Sequence, residues 1–500
     1  MYNDAMRAIA RHLGFLIFFL LFASATSYAA SDQPIQHNGR IKPFDSFARS
    51  TLKFISGRES WDKKNADRVL MEAAAAPGKV AEWKWIRIDL PELKATLGLS
   101  PENNFFSYKD LIPAGPRILS LAKSSQAKRQ ADARPSKLEQ KAVLLQAQIS
   151  TIEAITSGDI FRVVPSAEGH EWQPGGDPGN WPKNIYAVNS WQFQKMRLES
   201  LYFKIMPFQW SALLYFVAFI LLIFFRKWEA PKPMGIVFMG MAVMFHTTGL
   251  LARCLILSRP PVSNMFESMI FMNWALIVFA LIFAVIYGNV AVLAAGSFVS
   301  GFVMLYAHLL PIDSGLDVLV PVLRSNYWLS IHVMTIVSSY GAFGLAMSLG
   351  HWYLLRKMFN TFENVVQEEN AANLIFRVIQ LGTILIGTGT VLGGVWANES
   401  WGRFWGWDPK ETWALITFLG YLIVIHLRFL NKISHTALAL CSVLGFGLVL
   451  MTWYGVNFVL GRGLHSYGQG SGGMEWIIYY LVLEAAFLVF MIVKSRKVSR

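Results

Sequence analysis

The sequence predicts an all-α polytopic membrane protein: about nine transmembrane helices, preceded by an N-terminal signal or anchor segment and an external domain. Three observations lead there. Hydrophobic residues make up 54% of the 500, including 36 Phe, and charged residues only 15%, well below the roughly 25% charge of ordinary soluble domains. Beyond residue 207, apolar stretches recur that are long enough to cross about 30 Å of hydrocarbon. Lys and Arg gather in alternate connections between those stretches, as the positive-inside rule requires.

In chain order, residues 1–30 combine basic residues, an apolar run and the small-residue pattern Ser27-Tyr28-Ala29. That is signal-peptide grammar, with a retained anchor as the other reading; under both, the region beyond residue 30 is exported. Residues 31–207 are polar and rich in Lys, Glu, Gln, Pro and Gly, which predicts an external, periplasmic domain. Within it "KLEQKAVLLQAQISTIEAI" carries apolar residues at helical spacing, and "EWQPGGDPGNWPKN" reads as loop. His37 and His170 are isolated there and are expected on the solvated surface. The polytopic domain, 208–500, has spans expected near 208–225, 234–257, 268–287, 290–310, 328–355, 375–397, 412–430, 437–458 and 475–493. The basic connections "RKWEAPKPM", "LRKMFN" and "LRFLNKISH" and the tail "KSRKVSR" share one side, assigned as cytoplasmic. The other side receives "SRPPVSNMFES", the tryptophan-rich stretch and "GRGLHSYGQGSGG".

Net charge is +13, and in a membrane protein loop charge accounts for that without nucleic acid as a partner. The two cysteines, Cys254 and Cys441, are far apart in apolar segments. Neither a disulfide framework nor a dithiol redox centre is written in them.

The stretch "VWANESWGRFWGWDPKETWAL" places Trp396, Trp401, Trp405, Trp407 and Trp413 within the eighteen positions 396–413. A membrane-surface belt would distribute its indoles among many helix ends. Clustered indoles interleaved with polar groups suit a large, flat, partly apolar ligand. Asp408-Pro409-Lys410-Glu411 has the form of a capping box, so Asp408 and Glu411 are expected to start a helix rather than act as acid and base. Arg403 is a candidate partner for ligand carboxylates, with ordinary surface charge as the alternative.

Histidines complete the pattern. On this topology His332 lies about one turn inside the external end of its span and His465 in the external Gly-rich loop. Paired imidazoles hold a haem iron from both sides; each residue alone reads equally as a hydrogen-bonded interfacial histidine. His426 lies about 27 Å further along the helix begun at Asp408 and cannot share their site. His246 is mid-span, where an ionisable group is a functional candidate, and His308, His351 and His435 sit near span ends as interfacial anchors.

"GGVWANESWGRFWGWDPKETW" resembles the tryptophan-rich (WWD) signature of the haem-handling superfamily. The ordered set of His332, that motif, His426 and "GRGLHSYG" resembles the CcsA (ResC) component of the system II cytochrome c synthase, over roughly 208–500. "PPVSNMFESM" resembles a further family segment, and the region opening "PIQHNGRIKPFDSFA" resembles the extension that precedes the CcsA part in fused synthases. The resemblance implies a haem lyase subunit of the bacterial inner membrane, working with a CcsB (ResB)-like partner, a thiol-reducing partner and apocytochrome c. It would receive haem b at His426 and carry it outward to a site where His332 and His465 are the axial ligands. There Trp396, Trp401, Trp405, Trp407, Asp408 and Arg403 would surround it, and its vinyl groups would be joined to the thiols of a Cys-x-x-Cys-His segment. The family's other transmembrane ligand lies in CcsB and is absent here unless His246 substitutes. A haem transporter delivering to a separate ligase is the alternative.

Overall fold

The computed structural model describes residues 33–131, 133, 135–166, 171–176, 181, 189–224, 231–309, 315–316, 326–460 and 474–498. The expected signal or anchor segment, His170 and His465 lie outside these residues. The chain divides into two compact units at Ile205 and Met206.

Among the described residues the first unit is helical with four two-stranded antiparallel ribbons. In the first ribbon, β1 (Pro34–His37) pairs with β2 (Arg40–Pro43) through a turn whose Asn38 and Gly39 both have positive φ, 50° and 72°. Asn-Gly is the dipeptide such a tight turn favours, because both central residues must adopt left-handed backbone. Helix Phe44–Ser56 places Phe44, Phe47, Ala48, Leu52 and Ile55 on one stripe. That stripe packs into a core with Trp85, Ile86, Phe161 and, from helix Lys137–Ser157, Leu145, Ile152 and Ile155. The latter helix is the one expected from spacing; Ser136 and Glu139 form its capping box and Gly158, in left-handed conformation, ends it. Glu199 is wholly buried and accepts hydrogen bonds from Arg40 and Ser46. His37 departs from its expected place: it is half-buried, edge-on to Phe47 at 5.1 Å, because the tight turn folds its strand against the helix.

Among the described residues nine helices are long and apolar enough to cross a membrane, as the sequence predicts. Eight of the elements from residue 207 onward are α1 (Pro207–Phe224), α2 (Pro231–Leu257), α3 (Met265–Tyr287), α4 (Val290–Leu309), α5 (Asn326–Met358), α6 (Val365–Trp401), α7 (Pro409–Phe429) and α8 (His435–Leu450). A π-helix, Met451–Leu460, continues α8, and α9 is Met474–Val498. Helix α5 is central, packing along α3, α6 and α8, while α1 packs on α2 and α4. Without a hydrophobic drive between helices in lipid, small residues let backbones approach closely. Gly341 does this: a Cβ there would meet the Met272 carbonyl oxygen of α3 at 2.7 Å.

Helix α6 overruns its expected span. Its 37 residues reach about 55 Å at 1.5 Å per residue, because an α-helix satisfies its own backbone whether in lipid or water and stops only where the chain chemistry stops it. The stop is Gly402, with φ 72° and its N–H donating to the Asn398 carbonyl. Trp396 and Trp401 therefore belong to the last turns of α6 and not to a connection. The starts of α5 and α7 join the end of α6 at this tryptophan-rich end of the bundle. Arg356, Lys357, Arg428 and Lys432 lie at the opposite end, where α5 and α7 finish and α6 and α8 begin.

Candidate functional site

At the tryptophan-rich end a cavity is walled by α5, α6, the loop into α7, the segment before α3 and the π-helix. One side is the α5–α6 seam. Gly389, Gly393 and Trp396 follow at helical spacing on the α6 face that meets His332. A Cβ on Gly393 would fall 2.5 Å from His332 Cε1, so glycine makes room for the imidazole. His332 Nδ1 lies 2.7 Å from the Gly389 carbonyl. A carbonyl only accepts, so in the neutral ring Nδ1 carries the proton and the lone pair is on Nε2. That arrangement, one ring nitrogen tied to a backbone carbonyl, is how proteins orient an imidazole that ligates a metal through the other.

Trp396 is 1% exposed and stacks against His332, and Trp401 meets it in an edge contact at 4.7 Å and 68°. Phe404 and Trp405 also line the cavity. Gly394 receives the Phe404 ring, since a Cβ there would meet Cζ at 2.5 Å. The expected capping box is present: Asp408 accepts from the Lys410 N–H, and Glu411 accepts from the Gly406 and Asp408 N–H groups at 2.8 and 3.1 Å. Glu411 thus holds the loop that carries the indoles.

The structure does not bring all the candidates together. His332, Trp396 and Trp405 line the cavity. Trp401 lies behind Trp396, and Trp407 turns outward, 70% exposed and with φ +56°. The Arg403 guanidinium packs over Gly406, away from the lining, and Asp408 is buried as the N-cap. His426 is in the last turn of α7, exposed on the outside of the bundle, with Nδ1 2.7 Å from the Leu422 carbonyl of its own helix. His246 is fully buried and both ring nitrogens are engaged: Nε2–H donates to the Ile270 carbonyl at 2.9 Å and the Tyr215 hydroxyl donates to Nδ1 at 3.1 Å. That is the bonding of a core histidine. His351 pairs with Glu484 of α9 at 2.7 Å, and His308 is edge-on to Phe266 at 5.6 Å.

Several lining residues were not legible as such. Lys410 faces the cavity with Nζ 3.3 Å from Asn457 Oδ1, and Trp453 reaches Ser268 Oγ at 3.0 Å. Both partners come through the π-helix, a local widening that no residue pattern announces and that recurs at functional sites. Glu267, wholly buried, accepts from Arg253 at 3.0 Å, Arg259 at 2.7 Å and the Ser263 N–H at 3.0 Å. This ionic cluster fixes "PPVSNMFESM", which supplies Pro260, Val262, Asn264 and Met265 to the lining. Its signal in the sequence was a carboxylate next to an apolar helix with two arginines upstream.

Residues 262–465, which contain most of the cavity wall, match the Cytochrome C assembly protein family. The chain is 28% identical over 488 residues to Protein NrfI of Wolinella succinogenes, covering 87% of this chain and 53% of that protein. The chain thus spans about half of that relative's length. It is 36% identical over 233 residues to the cytochrome c biogenesis protein CcsA of Guillardia theta, 42% of this chain and 76% of that protein. With CcsA of Prochlorococcus marinus it shares 34% over 253 residues, 45% of this chain and 80% of that protein. With that family match and with 34–36% identity to CcsA proteins of which it covers more than three-quarters, the chain belongs to the cytochrome c assembly family, among the CcsA proteins.

Proposed function

We propose that this chain is the CcsA-type subunit of a cytochrome c synthase of the bacterial inner membrane: it takes up haem b, carries it outward and joins it to apocytochrome c. The observation that carries this reading is His332, its tautomer set by the Gly389 carbonyl, standing in a tryptophan-walled cavity. The chemistry of the donor set fits a haem: one oriented imidazole, flat aromatic walls and the Lys410 ammonium for a carboxylate. On this reading the tryptophan-rich end and the external domain expected over residues 31–207 are periplasmic.

The reaction asks little of acid and base groups. Each thiol of the Cys-x-x-Cys-His segment adds across a vinyl group, the sulfur bonding to one carbon and a hydrogen to the other, with no net change of oxidation state. The protein's contribution is proximity: a fixed porphyrin presents its vinyl edge to the thiols. His332 would hold the iron through Nε2, Trp396 and Trp405 would give apolar contact, and His465, five positions beyond the end of the π-helix in sequence, would be a second ligand. Thiols must arrive reduced, hence a thiol-reducing partner, and a CcsB-like subunit completes the uptake site to which His426 belongs. His426 stands on the outer surface of α7, where a partner subunit reaches it.

The test is maturation of a reporter cytochrome c in cells carrying this chain and a CcsB partner. His426→Ala should lower haem content, with activity rising when external haem is supplied. Normal maturation from endogenous haem in that variant would remove His426 from the pathway.

A further inference from the structure

Helix α7 runs about 30 Å from Pro409 to Phe429, and at its far end a second cavity of roughly 760 Å³ lies between the α3–α4 turn, α6 and α7. Two guanidiniums, Arg377 and Arg428, line it with Asn370, Asn373 and Asn431, and no carboxylate is among the described lining residues. Their hydrogen bonds go to neutral amides: Arg377 to Gln380 at 3.2 Å and Arg428 to Asn373 at 3.4 Å. Among the described residues neither makes an ion pair. The opposite character is supplied by Phe376 and Phe429, edge-to-face at 5.4 Å and 87°. A cation at a helix C-terminus is favoured by the helix dipole, which accounts for Arg428 at the end of α7. It does not account for Arg377, twelve residues inside α6.

We infer that this cleft recognises the paired carboxylates of an amphipathic ligand, and that on the functional reading above it receives the propionates of incoming haem. Guanidinium groups bind carboxylates bidentately, the aromatic pair accepts an apolar ring system, and His426 stands three residues before Phe429, about one helical turn away. Arg377 and Arg428 would take the carboxylates; His426 is not among the residues that line the cleft. The same chemistry, anionic groups on an apolar body, belongs to an acidic lipid headgroup, so the test separates the two.

The full chain, with His332→Gly and Lys410→Gln to silence the other cavity, is placed in nanodiscs of neutral lipid and titrated with haemin and with haemin dimethyl ester, whose propionates are blocked. Haemin should bind more tightly than the ester, and Arg377→Gln with Arg428→Gln should weaken haemin by at least about tenfold while leaving the ester unchanged. Arg377→Lys with Arg428→Lys should fall between. The ester comparison needs no substitution in the cleft, so a misfolded variant leaves the inference exposed to failure. Equal affinity for haemin and ester overturns it. So does a double Gln variant that binds haemin as the parent does but loses acidic lipid, measured by mass spectrometry of chain purified from native membranes; the cleft is then a lipid site. A parent that takes up no haemin at all overturns the functional reading together with this inference, whereas unchanged haemin affinity in the double variant overturns the inference alone.

Discussion

His332 of α5 and Trp396 of α6 face each other across the seam of two packed helices, ring centroids 6.2 Å apart and planes inclined by only 10°. Glycines make the relationship possible. With Gly389 and Gly393 on the facing surface, α6 approaches closely enough for the imidazole to lie flat and reach a backbone carbonyl.

Gly393→Ala should therefore disable the site while keeping every candidate ligand. The new methyl would fall 2.5 Å from His332 Cε1 and 2.8 Å from Nδ1, so the ring must tilt and lose its hydrogen bond. Overpacking of this kind costs about 1–3 kcal/mol. The expected outcome is a modest fall in melting temperature and a large fall in haem retained on purification. Gly447→Ala, where a Cβ meets nothing within 4 Å, is the matched control and should retain haem fully. Equal retention in the two variants would show that the ring's orientation is immaterial.

Trp407 presents the opposite case. It is a bulky residue in left-handed backbone, φ +56°, with 70% of its surface exposed. That conformation costs a non-glycine residue about 1–2 kcal/mol, and local strain of this sort is found where function demands it. Trp407→Gly should hold or raise the melting temperature and lower cytochrome yield. Trp396→Leu and Trp405→Leu should instead weaken haem retention, each by about 0.5–1.5 kcal/mol of lost aromatic contact. If Trp407→Gly matures cytochrome at the parent rate, the outward indole is idle.

Much of this was legible in the sequence, for reasons that particular residues make plain. Spans follow from apolar run length, helix Lys137–Ser157 from its apolar spacing, and the start of α7 from the capping residue Asp408. Inward and outward orientation within the tryptophan cluster was not, because it depends on where α6 stops, and Gly402 rather than the hydropathy edge sets that. Nor was the commitment of His246, whose partners Tyr215 and Ile270 are 31 and 24 residues away on other helices. The exposed face of His426 and the reach of Lys410 to Asn457 are likewise products of packing.

The unit of residues 33–205 should lose stability in acid through Glu139. Hydrogen bonds from Lys128, then Ser124 and the Ser136 N–H, hold its carboxyl at about 2, against about 4.3 for an unfolded glutamate. A folded value below the unfolded one means that the stabilisation is complete above about 4.3 and is lost as pH falls toward 2. Thermal unfolding of the parent should steepen its decline below pH 5, and Glu139→Gln should remove part of that slope. Superimposable pH profiles would show that the cap contributes nothing.

Haem iron on His332 in the tryptophan-walled cavity would be read from the absorption spectrum of the full chain, purified with a CcsB partner, as parent and as His332→Gly, each with and without imidazole. A bis-imidazole haem in the parent, lost in His332→Gly and regained when imidazole fills the vacated position, is the predicted result. A His332→Gly chain with the parent's Soret band, haem content and maturation activity would contradict it.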